Sequence, residues 1–240
     1  MKIDALTIPN FNRAHGARKE RLAMNCRLSN LNRRIVLTAC ANALVLAFAV
    51  SQPALASKVT PPSVPDNLKV LDGSHAFLVG HAVGTQNYVC APSATSNTGV
   101  AYALFTPIAT LFNNDGDQLI THFFSPNPNP LDANTNPAVV ADGAIRATWQ
   151  HSRDGSTVWA KLHANGSALV TEGAIAWLLL DVVGTQDGLT GGDFLSKTTQ
   201  IQRLNTTGGS APAQGCSSPA DIGHQAYADY TADYFFYTNE

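Results

Sequence analysis

Short runs of alternating apolar and polar residues dominate the chain from about residue 68 onward. The clearest example pairs residues 144–152 with residues 157–164 across the turn sequence Arg153-Asp154-Gly155-Ser156. Alternation with a period of two, on both sides of an Asp-Gly step, predicts a β-hairpin with one buried face and one wetter face. The apolar positions of its two arms are Ile145, Ala147 and Trp149, and Val158, Ala160 and Leu162.

Further short segments rich in Val, Ile, Thr and aromatic residues predict additional strands. Residues 113–117 form a predicted hairpin loop, and Gly84-Thr85 a predicted turn. Residues 174–183 form a continuous apolar run that fits a central strand, with a short helix as the alternative. The predicted strands are residues 76–83, 86–90, 109–112, 118–124, 174–183, 198–204 and 234–237.

This pattern predicts an all-β fold, either an antiparallel sandwich or a barrel, in a single domain over residues 68–240. Three stretches rich in Pro, Gly, Ser, Thr or Asn predict long polar loops, at residues 125–136, 184–196 and 206–215. Residues 57–67 are rich in proline and predict an extended lead-in rather than a packed element.

The charge is unevenly divided along the chain. Residues 1–56 carry eight Lys or Arg and two acids, whereas the rest carries seven Lys or Arg and fifteen acids, giving +6 and −8 and the total of −2. An acidic body argues against a nucleic-acid partner. Residues 1–56 resemble a secretory signal peptide, with Arg33-Arg34, an apolar run at 35–50 and Ala54-Leu55-Ala56 as a cleavage site. This predicts a periplasmic or secreted protein.

Two alternatives concern this leader. The apolar run of sixteen residues could instead be an uncleaved anchor, although it is shorter than a bilayer span needs. Residues 1–23 are unusual for a signal peptide, and a translation start at Met24 would give a leader of ordinary length. After cleavage we expect no stable membrane span.

Cleavage leaves two cysteines, Cys90 and Cys216. In an exported chain an even pair most simply forms one disulfide, and two free buried thiols are the alternative. A disulfide here would close a loop of more than one hundred residues, for which chain entropy predicts about 4–5 kcal/mol of stabilisation.

The sequence carries no familiar catalytic or cofactor motif. The Gly-x-Ser-x-Gly elbow, the His-Glu-x-x-His zinc motif and the common Gly-rich phosphate loops are absent, so we predict neither a nucleotide nor another cofactor. A bound metal ion is left open, with His122 and His151, together with Asp154, as candidate ligands from separate strands. The histidines lack ligand spacing, and ordinary strand and loop positions are the favoured interpretation.

Several aromatic residues are candidates for a ligand site. Asp154 follows Trp149 and precedes Trp159, so a polar edge framed by two indoles could bind a sugar; hairpin-turn chemistry with core tryptophans is the simpler interpretation. The ending YADYTADYFFY predicts Tyr234 and Phe236 on one face of a strand and Phe235 and Tyr237 on the other. Tyr234 is the fourth ligand-binding candidate, with a buried terminal strand as the alternative.

Several motifs together resemble one known family. They are Gly84-Thr85-Gln86-Asn87-Tyr88-Val89-Cys90, the stretch WQHSRDGSTVW at 149–159, AWLLL at 176–180, IQRLNT at 201–206 with Gly208-Gly209, Cys216, and YTADYFFY at 230–237. In this combination the chain resembles the exported bacterial and fungal family catalogued as domain of unknown function 3455. The resemblance places both cysteines in family motifs, which supports their pairing, and it implies no activity.

Three hypotheses about function follow. The first is an extracytoplasmic binding domain whose ligand is a glycan or another envelope component. The second is a secreted hydrolase or metal-assisted enzyme that uses His122, His151 and Asp154. The third is a purely structural surface protein without a small-molecule ligand. Because no catalytic signature is present, the sequence favours the binding domain over the enzyme.

Overall fold

Eight antiparallel strands form a closed barrel in which each strand pairs with its neighbours in the chain and the last strand pairs with the first. The computed structural model describes residues 59–132 and 144–239. Two single-turn 3-10 helices, Asp66–Leu68 and Pro219–Asp221, flank the strands. The strands are β1 His75–Pro92, β2 Val100–Phe112, β3 Gln118–Pro126, β4 Ile145–His151, β5 Thr157–Ala168, β6 Trp177–Gln186, β7 Gln200–Gly208 and β8 Gln225–Thr238.

The all-β prediction is confirmed, and of its two alternatives the barrel is the one observed. The predicted central hairpin is also confirmed: Ala147 pairs with Ala160 and Trp149 with Val158 across β4 and β5. These apolar positions face the interior, because side chains two residues apart share one face of a strand. The predicted signal peptide lies outside the described residues. Within those residues, no helix has the length and hydrophobicity to cross a bilayer.

The predicted turn at Gly84-Thr85 is wrong, because β1 runs through it without interruption. Gly84 is needed there for a different reason. A Cβ atom at this position would collide with the Ile108 carbonyl oxygen and with Ala109 on β2, so the two strands approach each other too closely for any side chain. β2 likewise begins earlier than predicted, at Val100.

The Pro-rich lead-in is extended, but the expectation that it would not pack is wrong. Val59 and Val64 pack against a cluster on the outer face of the barrel, and Leu68 is completely buried there. The Leu68 carbonyl accepts a hydrogen bond of 2.6 Å from the amide of Gln202 on β7. The lead-in therefore covers apolar residues on the outside of the barrel.

The last strand has two buried faces, as its sequence predicts. Tyr234 and Phe236 belong to the interior core, whereas Phe235 and Tyr237 belong to the outer cluster under the lead-in. Such a strand contributes to two apolar layers at once, which explains its unbroken run of aromatic residues.

The disulfide between Cys90 and Cys216 is present, with 126 residues of sequence separation. Cys90 lies near the end of β1, and Cys216 lies in the connection between β7 and β8. The bond fastens this long connection to the wall of the barrel.

Candidate ligand-binding cavity

The barrel encloses a cavity of about 260 Å³ that is lined by residues from all eight strands. One end of the barrel is closed by the β6–β7 connection, whose Leu195 is completely buried in the interior core. The backbone N–H of Leu195 donates to the Ser156 hydroxyl in the β4–β5 turn at the same end. The cavity lies toward the opposite end, where β4 begins at Ile145.

Three rings, those of His122, Trp149 and Tyr234, form the deepest part of the cavity lining. The imidazole of His122 is stacked on the indole of Trp149, with ring centroids 4.3 Å apart and planes 11° from parallel. Tyr234 meets the indole edge-on at 5.5 Å. All three side chains are at least 97% buried, so the rings hold one another in fixed positions.

His122 is neutral in this environment. Burial lowers the pKa of its imidazole to about 3, the nearby Arg203 guanidinium acts in the same direction, and the hydrogen bond to the Thr148 carbonyl only partly opposes them. The ring nitrogen Nδ1 lies 2.8 Å from that carbonyl oxygen and must carry the proton to donate. Nε2 is therefore left as a hydrogen-bond acceptor, and no described residue donates to it.

Two further polar groups of the lining lack partners. The side-chain nitrogens of Gln86 (Nε2) and Trp149 (Nε1) are buried and make no hydrogen bond within the described residues. Gln86 is close enough to the Tyr230 hydroxyl to affect its pKa, yet its nitrogen completes no bond of normal geometry. Buried donors without partners are rare and costly, so these two groups are candidates for contact with a ligand.

Arg203 on β7 is a charged group of the lining, and it acts electrostatically on His122. It pairs with Tyr234 across β7 and β8 and follows the buried Ile201 on the same face. Its Nε and Nη2 atoms donate to the Ala176 carbonyl at 3.2 and 2.8 Å. No carboxylate of a described residue forms an ion pair with it.

The remaining wall of the cavity is mostly apolar. Two leucines of this wall, Leu104 and Leu162, are 45% and 51% exposed and mark its open side. The other apolar members are Pro107, Phe124, Ile145, Ala147, Ala160, Leu178 and Leu180. An apolar wall with a few convergent polar groups is the usual composition of a small-molecule site.

Of the residues singled out from the sequence, Trp149, Tyr234 and His122 come together in this cavity. Trp159 does not join them: it lies on the outward face of β5, where its indole N–H donates to the Ser125 hydroxyl at 2.8 Å. The two tryptophans thus sit on opposite sides of the barrel wall, and the edge framed by both indoles is not formed.

Asp154 and His151 lie at the closed end. The carboxylate of Asp154 is 2.8 Å from Nδ1 of His151 and accepts bonds from both the backbone and the hydroxyl of Ser156, and from the backbone of Phe194. Burial alone would raise the pKa of this carboxyl, but these hydrogen bonds outweigh it and lower the pKa far below the ordinary value. The cluster fastens the β6–β7 connection onto the β4–β5 turn.

The candidate metal ligands are not assembled into a cluster in the described part of the chain. Within residues 59–132 and 144–239, no three His, Cys, Asp or Glu side chains are arranged to hold an ion. His122 binds the Thr148 carbonyl, whereas His151 is paired with Asp154. Binding of a metal at His122 or His151 stays a prediction, and the described residues form no group of three ligands that would hold the ion.

Two lining residues, Gln86 and Arg203, were not singled out from the sequence. Both stand in motifs that carry the family resemblance, and Arg203 occupies an interior position of an alternating strand, two residues after Ile201. A charged residue on the buried face of a strand is the signal that could have identified it.

A family model described as "Protein of unknown function (DUF3455)" matches residues 72–238 of the chain. No curated protein and no solved structure matches it.

Proposed function

The chain belongs to the DUF3455 family of proteins of unknown function, and because that family has no assigned activity, we propose a function from the cavity itself: the barrel is a binding domain that holds one small, largely apolar ligand inside. This is the binding-domain hypothesis in a narrower form, with the ligand in the interior rather than on an edge of the hairpin.

The observation that carries this proposal is the cavity of about 260 Å³ together with the unpartnered groups beside it. A well-packed barrel of this size would fill such a volume with side chains. Here Ala147 and Ala160, which pair across β4 and β5, leave the space open. Small residues at the centre and unpaired polar groups on the lining are features expected of a binding site.

The size and polarity of the cavity favour a compact ligand over a glycan. Its volume is just below the roughly 300–1,000 Å³ typical of drug-sized ligands. A sugar carries a hydroxyl on almost every carbon, and each would need a partner that the apolar wall does not supply. Among envelope components, a molecule with one polar end and a hydrocarbon body fits better.

The proposed location is outside the cytoplasm. The basic leader, its apolar run and its small-residue cleavage site support export. The Cys90–Cys216 disulfide is consistent with an oxidising compartment, where such bonds persist.

The enzyme hypothesis has less support from the geometry. His151 and Asp154 are paired, but the Ser156 hydroxyl donates to the carboxylate rather than to the imidazole, so it is not activated as a nucleophile. The structural-protein hypothesis predicts no ligand and is tested by the same experiment as the binding proposal.

The experiment is a calorimetric titration of the purified protein with 1-octanol, a neutral probe small enough for the cavity. Burying its chain at about 0.8 kcal/mol per CH₂ gives a Kd on the order of 0.1 mM. Ala160→Phe fills the cavity and should abolish binding. The matched control Ala103→Phe adds the same side chain at an exposed position of β2 and should leave Kd unchanged.

Ala147→Leu is a second, milder filling variant in case the phenylalanine prevents folding, and thermal melts verify that both variants are folded. Folded Ala160→Phe that binds 1-octanol as the original protein does would place binding elsewhere. Absence of binding by the original protein of both 1-octanol and octanoate, its anionic counterpart, would overturn the proposal.

A further inference from the structure

We propose that the ligand of this cavity is a small amphipathic carboxylate, whose anionic group is bound by Arg203 while its hydrocarbon part lies against the apolar wall. This inference rests on the proposed function, since it specifies the chemistry of the molecule that the cavity holds.

The described residues that line the cavity include three cations and no carboxylate. One of the cations, Arg146, is neutralised by Asp132 through bonds of 2.7 and 2.8 Å. A second, Lys161, is exposed to solvent at the rim. Arg203 is the remaining cation, and it is half-buried beside the rings at the centre of the barrel.

The guanidinium of Arg203 has more donors than the described residues satisfy. Of its five N–H groups, one on Nε and one on Nη2 donate to the same backbone carbonyl, that of Ala176. A carbonyl oxygen is not a counter-charge, and a half-buried cation without one is costly. A planar guanidinium with free donors is well suited to a carboxylate, which it can bind through charge-assisted bonds.

The effects of Arg203 on its neighbours are consistent with an uncompensated charge. Its guanidinium contributes to the lowered pKa of His122, and it opposes the rise that burial produces in the pKa of Tyr88 and Tyr230. Because His122 is neutral, Arg203 provides the fixed charge near the rings. The overall negative charge of residues 57–240 therefore does not describe the field inside the cavity.

The other groups of the lining suit the remainder of such a ligand. The side-chain nitrogen of Gln86, a residue of the same lining that is 98% buried, has no acceptor of normal geometry among the described residues. Phe124, Leu178 and Leu180 provide apolar contacts for a chain of several carbons, and Leu104 and Leu162 continue that surface to the open side. One anion-binding group and one continuous apolar wall define an amphipathic acid.

The test compares octanoate with 1-octanol, which share a hydrocarbon chain and differ in charge. At pH 7.5 we expect octanoate to bind at least 10-fold more tightly than 1-octanol. Arg203→Gln should remove this preference by weakening octanoate binding about 10- to 100-fold while changing 1-octanol binding less than 3-fold. Arg203→Lys should retain part of the preference, because the charge remains but the fork of donors is lost.

The matched control is Arg153→Gln, which removes the same charge from the exposed β4–β5 turn at the closed end and should leave both affinities unchanged. Equal affinities of the two probes for the original protein would overturn this inference and leave the binding proposal intact. Undiminished octanoate binding by folded Arg203→Gln would also overturn it. If neither probe binds, the proposed function itself fails.

Discussion

His122 is a histidine whose protonation state is fixed by its surroundings. It is 97% buried, it stacks on Trp149, and its one hydrogen bond goes to a backbone carbonyl. A buried imidazole with a cation nearby and no carboxylate partner remains neutral at physiological pH. Its Nε2 is thus a hydrogen-bond acceptor for which the described residues provide no donor.

The burial of His122 predicts a specific dependence of stability on pH. The unfolded chain binds a proton at its ordinary pKa of 6.5, whereas the folded protein resists protonation until about pH 3. Between these values the unfolded state binds more protons, so the free energy of unfolding should fall as the pH falls, by a few kcal/mol on the order-of-magnitude scale of such shifts.

Urea denaturation at pH 7 and pH 4.5 measures this loss. His122→Gln, which retains a donor for the Thr148 carbonyl, should remove most of it, and the exposed His224→Gln should not. Asp154 does not interfere, because its lowered pKa affects stability only below its ordinary value of 3.8. An undiminished pH dependence in His122→Gln would mean that the imidazole titrates normally.

At the level of residues, the sequence predicted part of the site. Trp149 and Tyr234 were identifiable because large aromatic residues at alternating positions are prominent in a strand pattern. Arg203 and Gln86 were missed because polar residues are usually read as outward-facing, and only a closed barrel with a cavity gives them an inward role. In the sequence Trp159 looked equivalent to Trp149. Successive residues of a strand face opposite sides of the barrel wall, however, so the register between the two strands decides on which side each indole lies.

At the level of elements, local pattern predicted the strands well and their ends less well. The β4–β5 hairpin could be predicted because its alternating pattern and its Asp-Gly turn both indicate the same structure. The uninterrupted course of β1 could not be predicted, because a glycine can indicate either a turn or a place where two backbones approach closely. Which of these applies to Gly84 depends on β2, and a strand pattern does not identify its partner.

The disulfide is a covalent constraint between elements that are far apart in the sequence. It connects β1 to the β7–β8 connection across 126 residues, so it restricts the unfolded chain far more than the folded one. The double variant Cys90→Ala/Cys216→Ala should lose about 2–5 kcal/mol of unfolding free energy. The matching measurement is urea denaturation of both proteins under oxidising conditions, and again with reductant, where the difference should disappear. A difference that persists in reductant would mean that lost packing, rather than the bond, is responsible.

At the level of the whole molecule, the decisive event is the closure of the sheet by β1 and β8. Their pairing joins residues more than 130 positions apart, such as His81 and Asp233. No local pattern encodes this contact, which is why the sequence left a sandwich and a barrel equally open. Closure also creates the interior, so a cavity lined by eight strands could not be predicted before the topology was known.

The two ends of the barrel then acquire different roles. Leu195 fills one end, and the cluster around Asp154 holds its loop in place. The other end keeps a cavity with an open side bordered by Leu104 and Leu162. A barrel closed at one end and open at the other can admit a ligand without rearranging its strands.

The most direct test of this account is a ¹H–¹⁵N spectrum of the tryptophan indoles during titration with octanoate. The chain has three tryptophans, and their signals can be assigned with single Trp→Phe variants. Trp149, whose Nε1–H has no partner among the described residues, lines the cavity, whereas the Nε1–H of Trp159 is bonded to Ser125 outside it and Trp177 belongs to the outer cluster.

We predict a saturable shift of the Trp149 signal, with much smaller changes at Trp159 and Trp177. Saturating octanoate that leaves the Trp149 signal in place, or that moves the outer indoles instead, would contradict the claim that the interior of the barrel is the binding site.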